Sequence, residues 1–142
     1  MLFPIYHLGR EVTGSKGVPV YAMPRMREFL TKNGPWSLLV DLHNIELRPV
    51  EGGVAITPNL RLEPIPLPHR DEFSETVGYV IRGPHASILW APDADRWPDG
   101  FADTVRSVDV AYLDGTFYDG SELPGRNLSE IPHPRMVDTV QA

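Results

Sequence analysis

The chain has 142 residues, 15 of them proline and 12 glycine, with 42% hydrophobic residues, no cysteine and a formal net charge of −6. Its length and apolar content suit one compact core, while the missing cysteine excludes disulfides, thiolate metal sites and a cysteine nucleophile. Thirteen basic residues against nineteen acidic ones, with no extended Lys/Arg run, leave no electrostatic footprint for sequence-independent nucleic-acid binding.

Every apolar run falls far short of the ~18 residues needed to span a bilayer, and Met1–Arg10 lacks a basic region followed by an apolar one. A soluble cytoplasmic protein with no membrane partner is the expectation. Proline is about twice its average usage of ~5% and is spread along the chain, which implies many short elements with stiff corners.

In chain order, Gly14-Ser15-Lys16-Gly17 is turn chemistry and Val18–Tyr21 suits a short strand. Pro24 can open a helix whose Met26, Phe29 and Leu30 share a face until Asn33-Gly34-Pro35 ends it. From Ile45 the period is two or near-continuous. Ile45-Leu47, Val54-Ile56, Leu60-Leu62 and Val77-Ile81 predict at least four strands of a meander, separated by Glu51-Gly52-Gly53, Thr57-Pro58-Asn59 and Arg82-Gly83-Pro84-His85. Ser87–Ala91 is apolar throughout and reads as a strand buried on both faces. Pro64, Pro66 and Pro68 alternate, so this stretch lies at a sheet edge or leaves the sheet, because a central strand could not lose so many donors.

Phe101, Val105 and Val108 then share a helical face, and Val110–Leu113 reads as a short buried strand ending on Asp114-Gly115. Residues 118–131 suit an exposed loop. Pro132 to Val140 suits a last helix with Met136, Val137 and Val140 turned inward. Strands followed by helix, strand and helix predict an α+β or layered α/β domain.

None of the five histidines (His7, His43, His69, His85, His133) forms an H-x-H pair or an i, i+4 helical pair, so spacing alone supplies no complete metal site. No glycine-rich phosphate loop and no G-x-S-x-G elbow is present. The sequon Asn127-Leu128-Ser129 is discounted as a chance match, since no secretory leader is visible.

Three places carry candidate chemistry. His69, in Pro68-His69-Arg70-Asp71, follows a proline-stiffened strand onto a rim; the competing reading is a loop histidine paired with Asp71 or Glu72. Asp93 and Asp95 stand at the mouth of the Ser87–Ala91 strand, where carboxylates are expensive unless paired or metal-bound. A calcium loop fits poorly there, since Trp97, Pro98 and Thr104 occupy its fifth, sixth and twelfth positions. Asp95 could instead cap a helix beginning near Trp97. Asp114 ends a buried strand, and His133 lies at a predicted helix N-terminus. An aspartate that orients a histidine is a common acid–base device, the alternative being a helix-turn cap.

Taken together, Gly17-Val18-Pro19-Val20-Tyr21, Pro68-His69-Arg70-Asp71-Glu72, Leu89-Trp90-Ala91-Pro92-Asp93, Val108–Phe117, Glu122-Leu123-Pro124-Gly125 and Ile131-Pro132-His133-Pro134 resemble, in order and spacing, the metallo-β-lactamase-fold hydrolases. Within them the likeness is to the branch of coenzyme PQQ synthesis protein B. The resemblance implies an αββα sandwich with a metal site on the rim between its sheets. His69 and Asp93 would be ligands of zinc or another divalent metal, with Pro92 standing where the family has glycine. Asp114 and His133 would assist proton transfer, in a motif that differs from the family's.

The family's H-x-H-x-D-H motif, expected just before His7, is not in the chain, nor is the last histidine ligand, expected after Ala142. The chain therefore reads as a single partial metallo-β-lactamase-like domain, 1–142, with two plausible ligands where zinc takes about three or four. The implied activity is hydrolysis of a small-molecule substrate by a metal-bound hydroxide. The alternatives are a non-catalytic fragment that binds metal weakly or not at all, and a module completed by a partner. That partner would be an identical or a separate chain, covering an exposed sheet edge and supplying the missing histidines.

Overall fold

The computed structural model describes residues 3–127 and 130–141, so the sequon at Asn127–Ser129 lies partly outside the described residues. In chain order the elements are α1 (Phe3–Tyr6), β1 (Val18–Ala22), α2 (Pro24–Lys32), α3 (Trp36–Asp41), β2 (Ile45–Pro49), β3 (Val54–Thr57), β4 (Leu60–Pro66), β5 (Val77–Arg82), β6 (Ser87–Ala91), α4 (Phe101–Arg106), β7 (Val110–Leu113) and α5 (Met136–Gln141). They fall into two compact units, Met1–Glu51 with Glu72–Ser74, and Gly52–Asp71 with Glu75–Ala142. No helix among the described residues is long and apolar enough to cross a membrane.

In the first unit β1 and β2 pair in parallel, Val18 opposite Ile45. A parallel pair needs a crossover, and α2 with α3 supplies it. Pro24 opens α2, where its missing N–H costs nothing, and Leu30 on its inner face is fully buried. Leu39 of α3, Ile45 and Val50 are buried as well. Ile45–Pro49 is therefore not part of the meander, as its alternation suggested; its partner is the earlier strand. The short apolar run Ser37–Val40 is helical.

The second unit holds a five-stranded sheet ordered β3-β4-β5-β6-β7. The first three pairings are antiparallel and β6 pairs with β7 in parallel. β3 reaches only Leu60–Leu62, whereas β5 pairs along β4 as far as Pro66. Pro64 and Pro66 thus sit where β4 has one neighbour, so their missing donors disrupt no ladder on the open side.

The core lies on one face of this sheet, where Leu67, Val80, Leu89, Ala91, Ala94 and Phe101 cluster, joined by Trp97, Val105 and Leu113. β6 is buried on one face only, contrary to the reading from its apolar composition, and β7 is only partly buried on that same face. Trp90 is 48% exposed and Tyr112 51%, with their rings 5.6 Å apart on the other face. The last helix also departs from expectation. It begins at Met136, buries no residue, and leaves Val140 86% exposed.

Gly78 on β5 shows how tightly the core face is built. A Cβ there would meet the Trp90 carbonyl oxygen at 2.8 Å, with Leu67 and Ala91 close behind. Gly78→Ala is expected to cost about 2 kcal/mol through overpacking, seen as a fall of about 6 °C in Tm by calorimetry.

Candidate metal and acid–base site

β4 is antiparallel to β5 and β5 to β6, so β4 and β6 run in the same direction, and β7 runs parallel to β6. The carboxyl ends of β4, β6 and β7 therefore open onto one rim of the sheet. The chain leaves these ends through Leu67-Pro68-His69, Pro92-Asp93-Ala94-Asp95 and Asp114-Gly115-Thr116. A backbone bond from Asp95 N–H to the Pro68 carbonyl, 2.7 Å, ties the first loop to the second. His133 is brought to the same rim by the segment before α5, which is anchored where Met136 N–H donates to the Phe117 carbonyl and Phe117 bridges Arg135.

All four candidate residues meet there, in the series His69, Asp93, His133, Asp114. His69 Nε2 is 3.3 Å from Asp93 Oδ2, and the other oxygen of Asp93 is 4.0 Å from His133 Nδ1. The two imidazole centroids are 6.1 Å apart. His133 Nδ1 is 2.7 Å from Asp114 Oδ2.

Asp95 has a different role from the helix cap that its sequence position allowed. Its Oδ1 is 2.7 Å from His69 Nδ1, and α4 is preceded at its cap position by Gly100, with no side-chain cap. A carboxylate accepting from Nδ1–H leaves the lone pair of His69 on Nε2, the nitrogen 3.3 Å from an Asp93 oxygen. Two acceptors at this spacing repel each other, and a cation held by both relieves that repulsion.

This donor set fits a divalent metal. Zinc bonds of about 2.0–2.1 Å in tetrahedral array separate neighbouring donors by about 3.3 Å, the spacing seen here. A histidine ligand whose other nitrogen donates to a carboxylate is the usual outer arrangement of such sites.

The acid–base pair is held otherwise. The Asp114 side chain is fully buried. Its Oδ1 accepts from the Thr116 amide (2.9 Å) and hydroxyl (2.6 Å), and its Oδ2 from the Ala94 amide (3.1 Å) and from His133. Burial pushes the pKa of this carboxyl up, but the Thr116 hydroxyl, His133 and the two amides together outweigh it and hold the group below its ordinary value. An ionised Asp114 fixes His133 as the Nδ1–H tautomer, leaving Nε2 as the exchangeable position. Donor atoms of Asp93, Asp114 and His133 also lie within 4.8 Å of one another. Asp114 already accepts four hydrogen bonds, so a cation would find its free lone pairs on Asp93 and His69.

A layered α/β domain with histidines and carboxylates gathered at parallel strand ends is the class that fold and site define. The sequence matches the family model described as beta-lactamase superfamily domain over residues 7–142, and the chain belongs to that family. The fold is similar to the crystal structure of Zn2+-bound PqqB from Methylobacterium extorquens, with a TM-score of 0.66 and 15% sequence identity over 84% of this chain and 43% of that one. The chain thus spans less than half the length of that protein. No curated protein matches the chain.

Proposed function

We propose that the chain provides the metal-binding and proton-transfer rim of a hydrolase of the metallo-β-lactamase fold. The observation that carries this reading is the close pair His69 Nε2 and Asp93 Oδ2, 3.3 Å apart, with His69 held through Nδ1 by Asp95. His69 and Asp93 would hold a divalent cation, zinc being the natural candidate for an imidazole–carboxylate pair. Such an ion polarises a carbonyl or phosphoryl oxygen and lowers the pKa of water.

His133 is the proton carrier. With Nδ1–H committed to Asp114, its Nε2 takes a proton from an attacking group or gives one to a leaving group, and the buried carboxylate stabilises the imidazolium that forms. Thr116 and the Ala94 amide hold Asp114 in place for this task.

The test is hydrolysis of a phosphodiester and an ester reporter by the zinc-supplemented chain. His133→Ala is expected to lower kcat by about 10²–10⁴-fold while zinc affinity stays within twofold of the parent chain, a range of about 0.4 kcal/mol. A variant that loses both, or neither, would count against the assignment.

A second reading has its own support. Among the described residues the pair His69 and Asp93 supplies two ligands where zinc takes about three or four. Among the described strands, β7 also leaves one edge unpaired beside the exposed Trp90 and Tyr112. In this reading the chain is a module whose metal site is completed by a partner chain docking along that edge. Stoichiometric, tight zinc binding and turnover by the chain alone would exclude it. Weak binding without turnover, restored by such a partner, would favour it.

A further inference from the structure

Between α4, α5 and the end of β7 lies a cavity of about 340 Å³, walled by Trp97, Phe101, Val105, Leu113 and Val140, with Arg106 as its charged group. It shares no residue with the His69–Asp93–His133–Asp114 series, so a ligand in this cavity does not depend on whether that series binds metal.

The volume falls in the range of compact small-molecule sites, about 300–1,000 Å³. The Trp97 and Phe101 rings stack in planes parallel within 1°, their centroids 4.5 Å apart, and line the cavity with aromatic surface. The Trp97 indole N–H already donates to the Thr139 hydroxyl at 2.8 Å, so this wall demands no hydrogen bond from an occupant. Val140 presents an aliphatic side chain to water at the cavity's margin, surface that an apolar occupant would cover.

The polarity is one-sided. Arg106 pairs with Asp103 through Nη1 at 2.9 Å, but both side chains are largely exposed, and such surface pairs hold each other weakly. The guanidinium can exchange that partner for a carboxylate bound by two parallel N–H donors.

We propose that this cavity binds a planar aromatic carboxylate of one or two fused rings. The ring system lies against Trp97, Phe101 and Val105, and the carboxylate is held by Arg106. An apolar enclosure with a single cation at its margin selects for this combination. A neutral aromatic leaves the guanidinium without a new partner, and a small polar anion leaves the aromatic wall wet.

The experiment is titration of the purified chain with 2-naphthoate, followed by calorimetry and tryptophan fluorescence, with 2-naphthalenemethanol as the neutral isostere. Saturable 1:1 binding of naphthoate is expected. Arg106→Gln should weaken it about tenfold, the worth of one charge-assisted contact, and leave the alcohol unchanged. Val105→Trp should abolish binding of both by filling the cavity. Ala102→Phe serves as a second block, with circular dichroism confirming that each variant is folded.

Absence of naphthoate binding by the folded chain at up to about 1 mM, a Kd worth only some 4 kcal/mol, would overturn the proposal. So would binding that survives both filling variants. Equal affinity for acid and alcohol, insensitive to Arg106→Gln, would overturn the carboxylate assignment. A dimer that Val140→Lys dissociates, in a chain that binds no naphthoate, would give this face to a second copy and overturn the ligand site.

Discussion

In a zinc titration followed by imidazole NMR signals, Asp95→Ala is expected to weaken the affinity of the chain by about 10–100-fold, the usual cost of removing a carboxylate that orients a histidine ligand. His69→Ala should remove binding altogether. The cause is the tautomer. Asp95 accepts from Nδ1 of His69 and so leaves Nε2, 3.3 Å from Asp93, as the unprotonated nitrogen; without it the ring is free to rotate and to place its proton on the coordinating nitrogen. Asp95→Asn keeps an acceptor at that position and should fall between the parent and Asp95→Ala. Unchanged zinc affinity in His69→Ala would show that the ion binds elsewhere, and equal losses in Asp95→Ala and Asp95→Asn would show that charge, not orientation, is what Asp95 supplies.

Asp114→Ala is expected to lower stability by about 3 kcal/mol or more, a fall of about 10 °C in Tm, because it strands the amides of Ala94 and Thr116 and the His133 N–H beside a buried void. Acid titration gives a sharper signature. The pKa of Asp114 is held below its unfolded value, so its contribution is fully present above about pH 4 and is lost as pH falls through the lowered, folded-state pKa. Asp114→Asn removes that titration. Its urea-unfolding free energy should therefore change less than the parent's between about pH 4 and pH 2, although it is lower at neutral pH. A variant with the parent's full acid dependence would show that other carboxylates dominate it.

The elements legible from sequence are those whose pattern is local. Pro24 with the Met26, Phe29, Leu30 stripe and Asn33-Gly34-Pro35 bounds α2, and turn chemistry bounds β3 through β6. The pairing of β2 with β1 is not legible, because alternation says that a strand has two faces and nothing about which strand lies beside it. Val110 and Tyr112 are apolar yet exposed, and composition cannot tell a buried face from an uncovered one.

The site divides in the same way. His69, Asp93, Asp114 and His133 stand out because each follows a strand or precedes a helix. Asp95 reads from sequence as a cap or a metal-side carboxylate, since its bond to His69 spans 26 residues of chain. The available signal is weak: a second aspartate two positions after the first, at a strand mouth, where both must find partners.

The common direction of β4, β6 and β7 also separates chemistry from tolerance to change. The β5–β6 hairpin at Gly83-Pro84-His85-Ala86 sits at the amino end of β6, roughly 15 Å along the strand from the rim. Insertions, affinity tags or fluorophores placed in that hairpin meet neither the histidines of the rim nor Asp114. This gives the molecule a handle by which the rim can be watched without being touched.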